Sequence, residues 1–186
     1  MSFLFILASL YFFLPAYFAN MTPAVLAKRN FFNFLAKRVD FGKKFLGKEI
    51  FGAHKTWRGV IFGIIMGVLI VGLQRYLYQF PVFKELSSLI FDYGQGNIFL
   101  FGFLMSSGAV FGDLLFAFIK RRLNLEPGRR FFPFDQINYI IGAILFLTPF
   151  FKIDIKAWIT LLILTPILHV LTTQIGFRFG LTKSKW

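Results

Sequence analysis

The stretch that decides the fold runs from Ser106 to Gln136 and reads SSGAVFGDLLFAFIKRRLNLEPGRRFFPFDQ. It begins as an apolar run that contains one acid, Asp113, and at Lys120 it becomes a basic cluster. Charge in hydrocarbon is costly, so an acid inside an apolar run should face a protein interior or a watery cavity. Ser106, Asp113 and Lys120 are spaced by seven residues and share one helix face. A stop-transfer helix would explain this much, but it would not explain the second acid, Asp135, beyond the basic cluster.

The composition is that of a membrane protein. Of the 186 residues, 57% are hydrophobic and 29 are Phe, whereas soluble domains typically have about 45–50% apolar residues. Residues 1–20 contain no Lys or Arg, so the first apolar segment is interpreted as a retained span and not as a signal peptide. We predict an all-α integral membrane protein, with residues 1–186 forming a single membrane-embedded domain. Its five transmembrane helices are predicted at 3–19, 58–78, 98–119, 137–151 and 157–177.

The basic residues are distributed unevenly between the two sides of this topology. Counted with Arg58, the loops at 20–57 and 120–136 and the C-terminal tail carry 17 of the 21 basic residues. Basic loops stay in the cytoplasm, so we expect both there, with the N-terminus outside and the C-terminus inside. The net charge of +13 is thereby explained by a location in the cell membrane, and we expect no nucleic-acid partner.

The side predicted to be cytoplasmic carries residues suited to phosphate chemistry. Asp carboxylates hold Mg²⁺, while Arg and Lys hold phosphate oxygens. The chain has no Cys, which excludes disulfides and thiolate metal sites. It also has no P-loop and no G-x-S-x-G nucleophile elbow. In the second span, Gly59, Gly63 and Gly67 form a small-residue face, which predicts close approach of a neighbouring helix.

Less specific interpretations of these residues remain open at this point. The string from His54 to Gly59 fits an interfacial anchor of snorkelling Lys and Arg with a Trp. A late His169 fits a buried side chain bonded to a neighbouring helix, and Asp40 with Gly42 fits an ordinary turn. A small transporter or an anionic-lipid-binding scaffold would explain the basic loops and Asp113 without any catalysis.

Polar motifs follow one another along most of the chain. They are Asn20-x-x-Pro23, Asp40-Phe41-Gly42, Lys55-Thr56-Trp57-Arg58-Gly59, Gly112-Asp113-Leu114, Phe118-Ile119-Lys120-Arg121-Arg122, Glu126-Pro127-Gly128, Asp135-Gln136 and His169. In this order they resemble one enzyme family, the CDP-archaeol synthases, which are membrane CTP transferases related to the phosphatidate cytidylyltransferases. The Asp-Gly-x-x-Ala-Arg string of the CDP-alcohol phosphotransferases is absent.

The resemblance implies that CMP is transferred from CTP to a glycerol phosphate lipid in the bilayer, with pyrophosphate as the other product. The family's lipid is unsaturated archaetidic acid, phosphatidate is the alternative, and a homodimer is left open. The implied site faces the cytoplasm and uses Mg²⁺. Its predicted catalytic residues are Lys55, Arg58, Asp113, Lys120, Arg121 and Asp135. Its predicted substrate-binding residues are Asn20, Thr56, Arg122, Glu126, Gly128, Gln136 and His169.

Asp113 and Asp135 are predicted to hold the metal. A hairpin of the third and fourth spans would bring them together, where two carboxylates would repel each other unless a cation lay between them. Mg²⁺ that bridges to the CTP phosphates would supply that cation. On this hypothesis, Asn at either position should leave the metal-free stability equal or higher.

Overall fold

A computed structural model describes residues 2–126 and 129–178 of the chain. The described part is predominantly helical, which confirms the all-α prediction. The helices are α1 (Phe3–Arg29), α2 (Trp57–Leu77), α3 (Pro81–Ser88), α4 (Ile98–Arg122), α5 (Phe134–Leu147) and α6 (Ile155–Arg178). A 3-10 turn (Asn33–Leu35) and a two-residue hairpin, β1 (Lys44–Phe45) and β2 (Lys48–Glu49), lie between α1 and α2.

Three of the helices are long and apolar enough to cross a membrane, namely α1, α2 and α4. The helix α5 and the part of α6 from Ile155 to Leu171 are apolar but shorter. The structure therefore supports a membrane-embedded helical protein, while the number of spans stays a prediction.

The helices differ from the predicted segments in three places. The first helix does not end before Asn20 but continues past Pro23 to Arg29, where Asn30 caps it in the left-handed conformation at φ 53°. The segment 79–97 contains the helix α3, with Pro81 at its first position, where a missing N–H costs nothing. The helix α5 ends at Leu147 and not at 151, because Pro149 has no backbone N–H to continue the helical hydrogen bonds.

The glycine face of α2 packs as the sequence predicted. A Cβ on Gly63 would lie 2.9 Å from the carbonyl oxygen of Ala19 in α1, and a Cβ on Gly67 would lie 2.0 Å from Oγ of Ser106 in α4. Side chains larger than hydrogen would push the helices apart, so these glycines allow α2 to pack closely against both α1 and α4.

The helices α4 and α5 pack even more closely. The sequence analysis predicted a hairpin of these two segments but not the closeness of their contact. A Cβ on Gly108 would lie 2.5 Å from the carbonyl oxygen of Gly142, and one on Gly112 would lie 2.1 Å from that of Asn138. Backbone meets backbone at both points. This contact fixes the position of the residues that follow Gly112 on α4 relative to the first turn of α5.

The two basic loops meet at one end of the bundle. Lys48 Nζ in the hairpin donates to the carbonyl oxygen of Arg122 at 3.1 Å, and the Arg122 guanidinium donates to the carbonyl oxygen of Glu49 at 2.6 Å. At the opposite end, Phe91 lies between α3 and α4, and Phe151 lies between α5 and α6. Their ring centroids are 5.7 Å apart, so these two connections meet there. The aromatic core, which includes Phe12, Phe13, Phe101 and Trp158, lies between the two ends.

Candidate active site

A cavity of about 340 Å³ opens at the basic end, between α1, α4, α5 and the loop that precedes α2. Its lining includes five of the six predicted catalytic residues, together with Asn20, which was predicted to bind substrate. The residues that line it are Asn20, Phe51, Gly52, His54, Lys55, Asp113, Ala117, Lys120, Arg121, Arg129, Asp135 and Asn138.

Two lysine–aspartate ion pairs cross the cavity. Lys55 Nζ lies 2.7 and 2.6 Å from the two carboxylate oxygens of Asp113, and Lys120 Nζ lies 3.0 and 2.9 Å from those of Asp135. The side chains of the first pair are 27% and 28% exposed, and those of the second are 12% and 30% exposed. Each carboxylate therefore has its own lysine as a counter-ion, and the binding of a metal ion by the two acids stays a prediction.

The carboxylate of Asp135 is also held by the backbone. Its Oδ2 atom accepts a hydrogen bond of 2.8 Å from the N–H of Phe131. The acid lies in the first turn of α5, where the positive end of the helix dipole favours a negative charge. Asp135 is thus oriented by its own helix start as well as by Lys120.

Arg121 is the most unusual charged group in the cavity wall. The residue is 8% exposed, and within residues 2–126 and 129–178 its guanidinium has no ion-pair partner and its buried Nε no hydrogen-bond acceptor. A buried charge without a partner is costly. An anion bound in the cavity would remove that cost, and a phosphate group matches the planar fork of a guanidinium.

The loop that carries Lys55 is anchored by Asp40. Its carboxylate accepts hydrogen bonds from the N–H groups of Gly42 at 2.9 Å and Phe51 at 3.1 Å. Burial alone would raise the pKa of Asp40, but these bonds, with one from Gly52 and the charge of Arg38, lower it below its ordinary value. The N–H of Val39 also donates to the carbonyl oxygen of Lys55 at 2.9 Å. The predicted turn at Asp40 and Gly42 thus has a role in positioning the cavity wall.

The comparison with protein-family models decides the family. Residues 2–186 match the model described as CarS-like, CDP-archaeol synthase. The chain belongs to the CDP-archaeol synthase family.

Related proteins agree with this assignment over nearly their whole length. The CDP-archaeol synthase of Methanococcus maripaludis strain C6 is 36% identical over 184 residues, which cover 98% of each chain. That of Pyrococcus furiosus is 36% identical over 182 residues, covering 97% of this chain and 98% of its own. A solved structure described as an intramembrane enzyme for archaeal membrane lipid biosynthesis shares the fold, with a TM-score of 0.68 and 24% identity over 87% of this chain and 90% of that one. As a CDP-archaeol synthase family member, the chain is a membrane-embedded enzyme.

Two arginines that the family motifs singled out lie outside the cavity lining of the described residues. Arg58 is 7% exposed and donates to the carbonyl oxygen of Phe31 at 2.8 Å and to Oδ1 of Asn33 at 2.9 Å. Arg122 holds the hairpin through the carbonyl oxygens of Phe45 and Glu49. Both arginines thus position the loop between α1 and α2, and the catalytic role predicted for Arg58 and the substrate-binding role predicted for Arg122 stay predictions.

The other predicted substrate-binding residues are dispersed. Thr56 caps α2 by accepting from the N–H of Gly59 at 3.3 Å, and it borders a smaller recess of about 50 Å³ beside the cavity. Glu126 is exposed, and neither it nor Gln136 is part of the described cavity wall. His169 lies on α6 within electrostatic range of Asp135. Gly128 lies outside the described residues.

The sequence analysis did not select three of the polar cavity residues, His54, Arg129 and Asn138, for the CDP-archaeol synthase site. Asn138 is 5% exposed, and its Oδ1 accepts from the N–H of Tyr139 at 2.6 Å. The available signal was its spacing, since Asn138 follows Asp135 by three residues and therefore shares its face of α5.

The cavity fits a Mg²⁺ ion that is held jointly with a phosphate ligand. Within residues 2–126 and 129–178 there is no group of three or more His, Cys, Asp or Glu side chains that could hold a metal by itself. Mg²⁺ commonly uses one or two carboxylates together with substrate phosphates and water. Asp113 and Asp135, both in the cavity wall, supply such a pair.

Proposed function

We propose that this chain transfers CMP from CTP to unsaturated archaetidic acid, giving CDP-archaeol and pyrophosphate. Its family membership supports the reaction. The structural observation that carries the proposal is the buried Arg121, whose guanidinium lines the same cavity as Asp113 and Asp135 and has no anionic partner among the described residues.

The chemistry requires anions to be brought together. An oxygen of the lipid phosphate attacks the α-phosphorus of CTP, a new P–O bond forms, and the bond from that phosphorus to the β-phosphate bridging oxygen breaks. The nucleophile is already an anion, so no general base is needed. The main task of the protein is to position the phosphates and offset their repulsion.

The cavity residues are suited to that task. Arg121 and Arg129 have guanidinium groups that can hold phosphate oxygens with two parallel bonds, and Lys55 and Lys120 add two further positive charges. When bound by Asp113 and Asp135, Mg²⁺ would stabilise the charge that develops on the departing pyrophosphate.

We further propose five spans, with the cavity facing the cytoplasm and residues 1–186 acting as one membrane-embedded domain. The distribution of basic residues supports this orientation, because the cavity lies at the end where the two basic loops meet. At that position CTP can arrive from water while the lipid chains stay in the bilayer. The smaller recess between α1, α2 and α4, which is bordered by Ala19, Val60, Val110 and Leu114, offers apolar surface next to the cavity.

The test is a reconstitution with purified protein, CTP, Mg²⁺ and one lipid at a time, followed by mass spectrometry of the lipid. We expect CDP-archaeol from unsaturated archaetidic acid. CDP-diacylglycerol from phosphatidate, formed at the higher rate, would instead assign the acyl lipid. Absence of both products, together with no stabilisation by CTP and Mg²⁺, would favour a lipid-binding scaffold.

A further inference from the structure

The two lysine–aspartate pairs occupy the atoms that a metal ion would need. All four carboxylate oxygens of Asp113 and Asp135 accept a hydrogen bond from a lysine ammonium, at 2.6 to 3.0 Å. An ammonium and a divalent cation compete for these oxygens, because both carry positive charge and repel each other at such short range. A metal ion should therefore bind the two carboxylates more tightly when Lys55 and Lys120 move away.

The cavity offers the lysines an alternative partner when a polyphosphate binds. The wall contains four cationic side chains and two carboxylates, so it is net positive and attracts an anion. The lysine side chain is a flexible stem with a compact charge, so its ammonium can change partners by rotating about single bonds. The phosphate oxygens that approach Arg121 would lie in the same cavity as both ammonium groups.

The carboxylates do not depend on the lysines alone for their position. Asp135 keeps its hydrogen bond from the N–H of Phe131, and Asp113 follows Gly112 at the close contact between α4 and α5. The Asp135 carboxylate and the backbone of Asp113 would thus stay in place after the ammonium groups leave.

We propose that Lys55 and Lys120 are exchangeable counter-ions that couple nucleotide binding to metal binding. They neutralise Asp113 and Asp135, transfer to the phosphates when CTP binds, and so release both carboxylates to the metal. This inference rests on the proposed function. It implies that metal and CTP bind cooperatively, each increasing the affinity for the other by the same factor. It also implies that the metal alone binds weakly.

The test measures the binding of Mn²⁺ and the binding of CTP separately, on the full-length protein in detergent. Mn²⁺ prefers oxygen ligands as Mg²⁺ does, and its free concentration can be measured by electron paramagnetic resonance. In Lys55→Met and Lys120→Met, the carboxylates lose a competing cation, so we expect Mn²⁺ without nucleotide to bind at least about tenfold more tightly than in the wild type. The same variants should bind CTP more weakly in the presence of EDTA, because they lose a phosphate partner.

Lys48→Met is the matched control, because Lys48 lies at the same end and bonds a backbone carbonyl oxygen instead of a carboxylate; its Mn²⁺ affinity should not change. The double variant Lys55→Met/Asp113→Asn should not show the tighter Mn²⁺ binding, because it lacks the Asp113 carboxylate. If a Met variant does not fold, Lys55→Gln and Lys120→Gln keep a polar group without the charge.

Unchanged or weaker Mn²⁺ binding in the folded lysine variants would overturn the proposal. Formation of CDP-lipid by the wild type would in that case still support the proposed function. Tighter Mn²⁺ binding in the variants, together with failure of the wild type to form CDP-lipid, would instead support the counter-ion exchange and contradict the reaction.

Discussion

Gly112 of α4 lies directly against the backbone of Asn138 in α5, so close that a Cβ on Gly112 would come within 2.1 Å of the Asn138 carbonyl oxygen. Neither backbone can move away without separating the two helices. Asp113 is the next residue along α4, and Asp135 lies one turn before Asn138 on α5. The separation of the backbones that carry the two acids is therefore set by a contact in which no side chain takes part.

Replacing Gly112 by Ala should consequently damage both stability and activity. We expect a loss of about 1–3 kcal/mol in the free energy of unfolding, as for other overpacked sites, measured by thermal unfolding in detergent. Formation of CDP-lipid should fall by more than the loss of folded protein explains. Gly72→Ala is the matched control, because its Cβ would meet nothing within 4 Å. Wild-type stability and activity of Gly112→Ala would show that α4 and α5 can separate freely.

Arg121 and its neighbour Arg122 should respond differently to the same substitution. Arg121 lines the cavity, whereas Arg122 holds the hairpin. Lys keeps the charge but cannot form two parallel bonds to a phosphate, so Arg121→Lys should lower kcat/KM for CTP about 100-fold, the loss typical of one transition-state donor. Arg122→Lys should mainly lower stability, by about 1 kcal/mol. Equal kinetic effects of the two substitutions would contradict the assignment of Arg121 to phosphate.

Asp113→Asn and Asp135→Asn should each abolish CDP-lipid formation, because each removes a carboxylate proposed to hold Mg²⁺. The structure reverses the expectation for metal-free stability. Each substitution leaves a partly buried lysine without its carboxylate, so the free energy of unfolding should fall by about 1–2 kcal/mol. Asp92→Asn, in the connection at the opposite end, is the control for the loss of a negative charge. Normal turnover in Asp113→Asn or Asp135→Asn would place the metal site elsewhere.

Asp40 should make the stability of the basic end depend on pH. Its pKa is lowered from 3.8 in the folded protein, so the folded state favours the ionised form. The resulting stability is fully present above pH 3.8 and is lost as the pH falls through the lower folded pKa. Unfolding of wild type and Asp40→Asn, measured by fluorescence in detergent, should differ most at neutral pH and converge as the pH falls below 3.8. A difference that persists at low pH would show that the carboxylate charge is not the cause.

The proposed orientation can be tested by labelling single cysteines, since the chain has none of its own. Lys43 and Glu85 are both exposed and lie at opposite ends of the bundle. In intact cells, an impermeant thiol reagent should label Glu85→Cys and leave Lys43→Cys unlabelled until the membrane is permeabilised. The reverse pattern would place the cavity outside, away from CTP.

The sequence by itself determined the class of protein, the family and half of the residues that line the cavity. Apolar runs predict helices in a membrane because backbone groups there must bond within their own segment. The spacing of seven between Asp113 and Lys120 placed both on one face of α4, and both line the cavity. The glycines of α2 also behaved as their spacing of four residues predicted.

Only the tertiary structure decided what each charged residue contacts. Arg121 and Arg122 are adjacent in sequence, but successive helical residues point about 100° apart, so one enters the cavity and the other holds the hairpin. The pairing of Lys55 with Asp113 joins residues 58 positions apart, and no local pattern predicts it. The closeness of α4 and α5 likewise depends on glycines from two helices that face each other. Such contacts are fixed by how the elements pack, and a sequence lists the elements without giving their relative positions.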